Sequence, residues 1–210
     1  MSSTAELDQI AGKRARTKAA NRRAILDAAR RVFARIGYEA TNIRDIVRET
    51  HLASGTFYNY FKSKEEVFEA LSADSIARFR PLLQSVKEQA ADLETYVRSA
   101  YRAYFTFLAS ENDHAISEGA PHVALIGVRV DTPEMATISE EIRTDLEDAL
   151  ARAGYAHIDT DYLTAAAIGV ALEVGDNMLR RRPVDPEQAT HFAAQIVLAG
   201  IDALGEPNVT

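Results

Sequence analysis

A chain of 210 residues with 47% apolar and 26% charged side chains, 10 Gly and 6 Pro has the composition of one large globular unit or two small ones. That composition excludes fibrous, disordered and low-complexity readings. It contains no cysteine, which removes disulfides, thiolate metal sites and Cys nucleophiles and points to a reducing compartment, the cytoplasm. The net charge of −7 conceals a division: residues 1–64 carry thirteen Lys/Arg against six Asp/Glu, and the remainder eleven against twenty-five. A basic head of net +7 thus precedes an acidic body of net −14, the asymmetry expected when one end meets a polyanion. The first twenty residues lack an apolar run flanked by basic residues, and the longest near-apolar run, 165–172, falls far short of the roughly 18 residues of a membrane span. Neither export nor membrane insertion is expected.

Residues 1–17 are polar and without sustained periodicity, which reads as a flexible arm carrying Lys13, Arg14 and Arg16. Ile25, Ala28, Ala29, Val32, Phe33 and Ile36 then recur at helical spacing, and Gly37 closes that helix. Thr41 or Asn42 can cap a second helix with Ile43, Ile46 and Val47 inside, ending near Thr50. After His51-Leu52-Ala53 comes a short aromatic segment, Ser54 to Phe61. Ser63 and Glu66 form a capping box for a fourth helix, with Val67, Phe68 and Leu71 inside, running towards Pro81. The rest also reads as helix: a stripe through Leu93, Val97, Ala100, Tyr104 and Phe107, then an irregular stretch over 109–133 punctuated by Gly119, Pro121 and Pro133. Three more helices follow, from Pro133 to Gly154, from about Asp159 to Arg182, and from Asp185 to about Leu204. The fold class is therefore all-α: an arm over 1–17, a head over 18–64, a connecting helix over 64–80 and a helical body over 81–210.

Two short helices joined by a three-residue turn form a helix-turn-helix, whose second helix enters the major groove of DNA. That helix would begin at Ser54. Gly55 permits close approach to the DNA backbone; Ser54, Thr56, Tyr58, Asn59 and Tyr60 supply polar groups; Phe57 and Phe61 supply an apolar underside. Tyr58 and Tyr60 are alternatively core aromatics, whereas Phe33, Phe57, Phe61 and Phe68 are core.

At these residues the sequence resembles the tetracycline-repressor (TetR) family of bacterial transcription regulators. Carrying the resemblance are Thr41-Asn42-Ile43-Arg44-Asp45-Ile46-Val47, Gly55-Thr56-Phe57-Tyr58-Asn59-Tyr60-Phe61 and Lys62-Ser63-Lys64-Glu65-Glu66, over about residues 20–70. The resemblance implies that Thr41 contacts phosphate at a helix N-terminus and that Arg44 reaches a base edge or phosphate. It further implies that Ser54, Gly55, Thr56 and Asn59 face the groove, Tyr58 and Tyr60 the backbone, and that Lys64 anchors a phosphate. Two departures stand out. His51-Leu52-Ala53 replaces the family's common Gly-Val-Ser, removing a positive-φ residue and a hydroxyl cap at about 1 kcal/mol each. Ser54 stands where a basic residue is frequent.

The resemblance also implies that the C-terminal helices enclose a small-molecule pocket and form a two-fold dimer interface. Tyr96, Tyr101, Tyr104, Phe107 and Leu108, with His122 from the irregular stretch, are the candidate pocket residues, since tyrosines bring polar tips that a dry core rarely accommodates; a plain core stripe is the alternative. The helix after Asp159 has apolar residues in two directions, Leu163, Val170 and Val174 against Ile168, Leu172 and Leu179, and the last helix is broadly apolar. A surface helix needs one such face, which makes Ile168, Leu172, Gly175, Leu179, Phe192, Ile196 and Gly200 the candidate dimer interface. Burial within one subunit is the alternative.

Catalysis has little support. One Glu-x-x-His spacing, Glu111 and His114, falls short of the two copies a di-metal bundle requires, and no phosphate loop or nucleophile elbow is present. A ligand-independent DNA coat would leave the large acidic body unexplained. The expected protein is a homodimeric, effector-responsive DNA-binding repressor, or alternatively an activator. Its partners are a near-palindromic operator, a second copy and an apolar or aromatic small molecule, with no cofactor and no metal.

Overall fold

The computed structural model describes residues 3–113 and 133–205, which form eight helices and no strand: α1 (Ser3–Ile36), α2 (Ile43–Glu49), α3 (Ser54–Tyr58), α4 (Lys64–Gln89), α5 (Leu93–Glu111), α6 (Pro133–Ala153), α7 (Thr160–Arg180) and α8 (Pro186–Gly205). Gly119, Pro121, His122 and His114 lie outside the described residues.

The expected arm is helical. α1 begins at Ser3 rather than near residue 18, because the segment lacks proline and is rich in Ala, Lys, Arg, Glu and Leu, whose helix propensity suffices without an apolar face. Residues 13–20 are exposed. From Ile25 to Phe33 the apolar stripe is buried as its spacing predicts, whereas Ile36, at the last turn, is 41% exposed. Gly37 takes φ 81° and its N–H donates to the Phe33 carbonyl at 2.9 Å, turning the chain into α2. There Asn42 rather than Thr41 is the cap: its Oδ1 accepts from Asp45 N–H at 3.2 Å, and the Asp45 carboxylate accepts from Asn42 N–H at 3.0 Å.

One apolar cluster closes the head, uniting Ile25, Ala29 and Phe33 of α1, Ile46 of α2, Phe57 of α3, Phe61 and the α4 residues Val67, Phe68 and Leu71. Tyr38 joins Phe33 and Phe68 with ring centroids 5.5 and 4.9 Å away. Its hydroxyl donates to Glu65 at 3.1 Å; partial burial, then that carboxylate, pushes the phenol up to about 12.

The second cluster fills the body between α4, α5, α6, α7 and α8. α4 does not stop at Pro81 but carries the proline on its exposed side and continues to Gln89, giving up one backbone hydrogen bond there. Both apolar directions of α7 are consumed inside the subunit. Leu163 and Leu179 are buried, and a Cβ on Gly175 would stand 2.7 Å from the Leu108 side chain, so this glycine lets α7 approach α5. Ile168 and Leu172 face an internal cavity. Ile168, Leu172, Gly175 and Leu179 are therefore not available as an interface. Phe192 at 55% and Ile196 at 46% exposure remain outside, with Leu204, and Gly200 is half-buried.

The turn of the head carries the two expected deficits. His51 occupies the left-handed region with φ 45°, and Ala53, at the N-cap of α3, offers no side-chain acceptor. Replacing His51→Gly relieves strain of roughly 1–2 kcal/mol less the entropy of a freer unfolded chain, and Ala53→Ser restores a cap of about 1 kcal/mol. Each is expected to raise the thermal midpoint, followed by far-ultraviolet circular dichroism, by about 2–4 °C.

Candidate nucleic-acid interface and internal cavity

Phe57 (1% exposed) and Phe61 turn inward, and this seating of α3 leaves its polar residues outside. Ser54, Gly55, Tyr58 and Asn59 are exposed and Thr56 is half-exposed. The Tyr58 ring stands edge-on to Phe57 at 5.5 Å, so its position is set by the core while 57% of it meets solvent. Tyr60 lies between the two readings, half-buried against the head cluster.

Thr41 and Lys64 are engaged internally. Thr41 is 3% exposed and its hydroxyl donates to the Gly37 carbonyl at 2.6 Å, so no free hydroxyl is offered to a phosphate. The Lys64 ammonium donates to the carbonyls of Tyr38, Glu39 and Thr41 at 3.0, 3.3 and 3.2 Å and lies 4.4 Å from the Tyr38 ring centroid. An ammonium has three donors, and all three hold the α1–α2 loop to the first turn of α4. Motif matching correctly singled out both positions but misjudged the task, since spacing along the chain does not reveal what a side chain reaches.

The head's other cations divide in two. Arg31 and Arg35 pair with Glu49 at 3.0 and 3.5 Å, and Arg30 lies 3.3 Å from Asp74 and 3.7 Å from Glu111. Arg78 joins that cluster, reaching Asp74 at 3.1 Å and Glu111 at 2.6 Å, while Ser75 donates to Glu111 at 3.2 Å. Thus α1, α4 and the end of α5 are cross-linked by charge, and Glu111 is occupied structurally. By contrast, Lys13, Arg14, Arg16, Lys18, Arg23, Arg44, Arg48 and Lys62 are exposed, and no ion pair engages them among the described residues. Arg44 and Arg48 share one face of α2 at i, i+4 spacing, the geometry for tracking a phosphate backbone.

In the body, α4 to α8 surround roughly 860 Å³ of unoccupied space, part of it open to solvent. This is within the usual size of ligand pockets. Its lining includes Ile76, Phe79 and Leu83 from α4, Tyr96, Tyr101 and Tyr104 from α5, Met135, Ile138 and Ile142 from α6, and Ile168 and Leu172 from α7. All three tyrosines expected at a pocket line it. Phe107 and Leu108 do not; they are packed beneath, Phe107 against Phe79 at 5.5 Å and Leu108 at Gly175. The α4 and α6 contributions were missed because their stripes read as ordinary core. The Tyr101 hydroxyl donates to the Ala167 carbonyl at 3.0 Å; those of Tyr96 and Tyr104 are buried without a hydrogen bond. Burial raises all three phenols far above the ordinary tyrosine value, with Asp145 adding to the effect at Tyr96 and Asp176 at Tyr104.

A helix-turn-helix head with an exposed polar reading helix, joined through one long helix to a helical body around an apolar cavity, defines a DNA-binding transcriptional regulator. Residues 25–71 match the family of bacterial regulatory proteins, tetR family, and the chain belongs to that family. It is 33% identical over 90 residues to the transcriptional repressor KstR2 of Rhodococcus jostii, a match covering 41% of this chain and 44% of that protein, so the chain spans less than half the length of that relative. Solved structures with the same fold include the fatty acid degradation regulator FadR of Bacillus halodurans (TM-score 0.70, 22% identity, 86% of this chain and 95% of that one). FadR of Bacillus subtilis in complex with stearoyl-CoA is also similar (TM-score 0.69, 18% identity, 84% and 97%).

Because Lys64 holds a loop, Lys64→Ala is expected to destabilise the head by about 2 kcal/mol and to weaken DNA binding with an unchanged salt slope. Arg44→Ala is expected to reduce the slope of log K against log salt by about 0.9. Fluorescence anisotropy over a salt series, alongside thermal melts, distinguishes the two.

Proposed function

We propose that this protein is a homodimeric cytoplasmic repressor that occupies a near-palindromic operator and releases it when an apolar effector enters the cavity. The observation carrying this reading is the double duty of α4. Its first residue, Lys64, holds the α1–α2 loop of the head, and Ile76, Phe79 and Leu83 of the same helix line the cavity, roughly 20–30 Å along at 1.5 Å per residue. A molecule wedged against Phe79 tilts a rod whose other end carries the reading helix. Release follows only if the effector binds the tilted state better; a preference of about 1.4 kcal/mol shifts the balance tenfold.

On the DNA, Asn59 and Thr56 read base edges, Ser54 and Tyr58 meet the backbone, and Arg44, Arg48 and the basic first turns of α1 neutralise phosphate. Phe192 and Ile196, one turn apart on the exposed face of α8, form the centre of a two-fold contact with the same face of a second copy. Long acyl chains are the leading effector class. The wholly apolar and aromatic lining supports it, as does the stearoyl-CoA complex of the Bacillus subtilis regulator of the same fold.

A gel-shift titration on the DNA immediately upstream of its own gene is expected to give a complex that resists unrelated competitor and dissolves on adding long-chain acyl-CoA. Loss of the complex to competitor overturns sequence-specific binding, and indifference to every acyl-CoA overturns the effector class. Asn59→Ala is expected to change the preferred sequence, measured by selection from random DNA, whereas Tyr58→Phe weakens all sequences alike. Phe192→Glu with Ile196→Glu is expected to yield monomers by light scattering; an intact dimer excludes this face.

A further inference from the structure

We infer that the effector carries an uncharged hydrogen-bond-accepting oxygen, of the ketone, ester or thioester kind, within its apolar body, and that Tyr104 donates to it. The inference rests on reading the cavity as the effector site and names the chemistry that this cavity selects.

Tyr104 is 7% exposed, lines the cavity, and its hydroxyl has no hydrogen-bond partner. An unpaired buried hydroxyl is destabilising, and packing does not require it. The rings against Tyr104, Phe79 at 5.7 Å and Phe105 at 5.4 Å, manage without one, as does nearby Phe107. Tyr101, one turn away, shows the contrast: its hydroxyl is already spent on the Ala167 carbonyl. Tyr96 also lacks a hydrogen bond but lies near Asp145, itself tied to Lys87, so Tyr104 is the hydroxyl left for a ligand.

The partner must accept, because burial and the neighbouring Asp176 keep this phenol protonated. It must also be neutral. Among the described residues the cavity lining holds no Lys, Arg or His, and the carboxylate nearest the hydroxyl in electrostatic effect, Asp176, is negative even though Arg180 pairs with it at 2.8 Å. An anion placed there would lose its hydration without gaining a counter-charge.

The test uses three probes of matched chain length, 2-undecanone, n-undecane and decanoate, each displacing a polarity-sensitive naphthalene dye from the full-length protein. Wild type is expected to bind the ketone about tenfold more tightly than the alkane, the worth of one buried hydrogen bond. Tyr104→Phe is expected to bring the two to parity with an unchanged circular dichroism spectrum, and Tyr101→Phe to leave the ratio intact. Equal binding of ketone and alkane by wild type, a ratio that survives in Tyr104→Phe, or decanoate binding more tightly than the ketone each overturns this inference while leaving the cavity as the effector site. Failure of all three probes to displace the dye overturns the cavity reading and this inference together.

Discussion

Neither hydrophobic cluster of this protein closes without α4. Val67, Phe68 and Leu71 complete the head, and Ile76, Phe79 and Leu83 complete the body, so one 26-residue helix is buried on two sides of the molecule by two different sets of partners. Burial at both ends turns a helix into a strut, because moving one end without the other would strip apolar surface from a cluster at about 25 cal/mol per Å². The charge cluster of Arg30, Asp74, Arg78 and Glu111 sits where the strut passes from one set to the other. It ties α1 and α5 to the same stretch of α4, and it has geometric directionality that the apolar contacts lack.

The basic head thus spends its charge in two ways. Arginines on the inner side are neutralised by Glu49, Asp74 and Glu111. Those contacts orient elements and contribute little net affinity for anything outside. The exposed cations of early α1 and of α2 have no such partners, and they alone keep a field that a polyanion can meet. A count of charges cannot separate the two populations, since both are Lys or Arg in the same 64 residues.

The body spends its apolar residues in two ways as well. α7 is apolar in both directions, a pattern that suits either an interface or full burial. The structure divides it differently, with Leu163 and Leu179 in the core, Ile168 and Leu172 facing the cavity, and Gly175 giving α5 room. What remains outside is on α8, whose Phe192 and Ile196 are large apolar side chains left in water by their own subunit.

Periodicity, caps and breakers in the sequence by themselves determined the all-helical architecture, the bounds of most helices, the inward aromatics of the head and the outward polar row of α3. These are local properties, set by side-chain spacing within a turn or two and by residues such as Gly37, Asn42 and Ser63 acting on their immediate neighbours. Early α1 escaped because propensity without an apolar stripe leaves no periodic signal. Tertiary structure alone decided what Thr41 and Lys64 do, which face of α7 is spent internally and where the cavity opens. Each of those depends on groups 20 to 100 residues distant, and a side chain's spacing along its own helix carries no information about which distant carbonyl or ring it will meet.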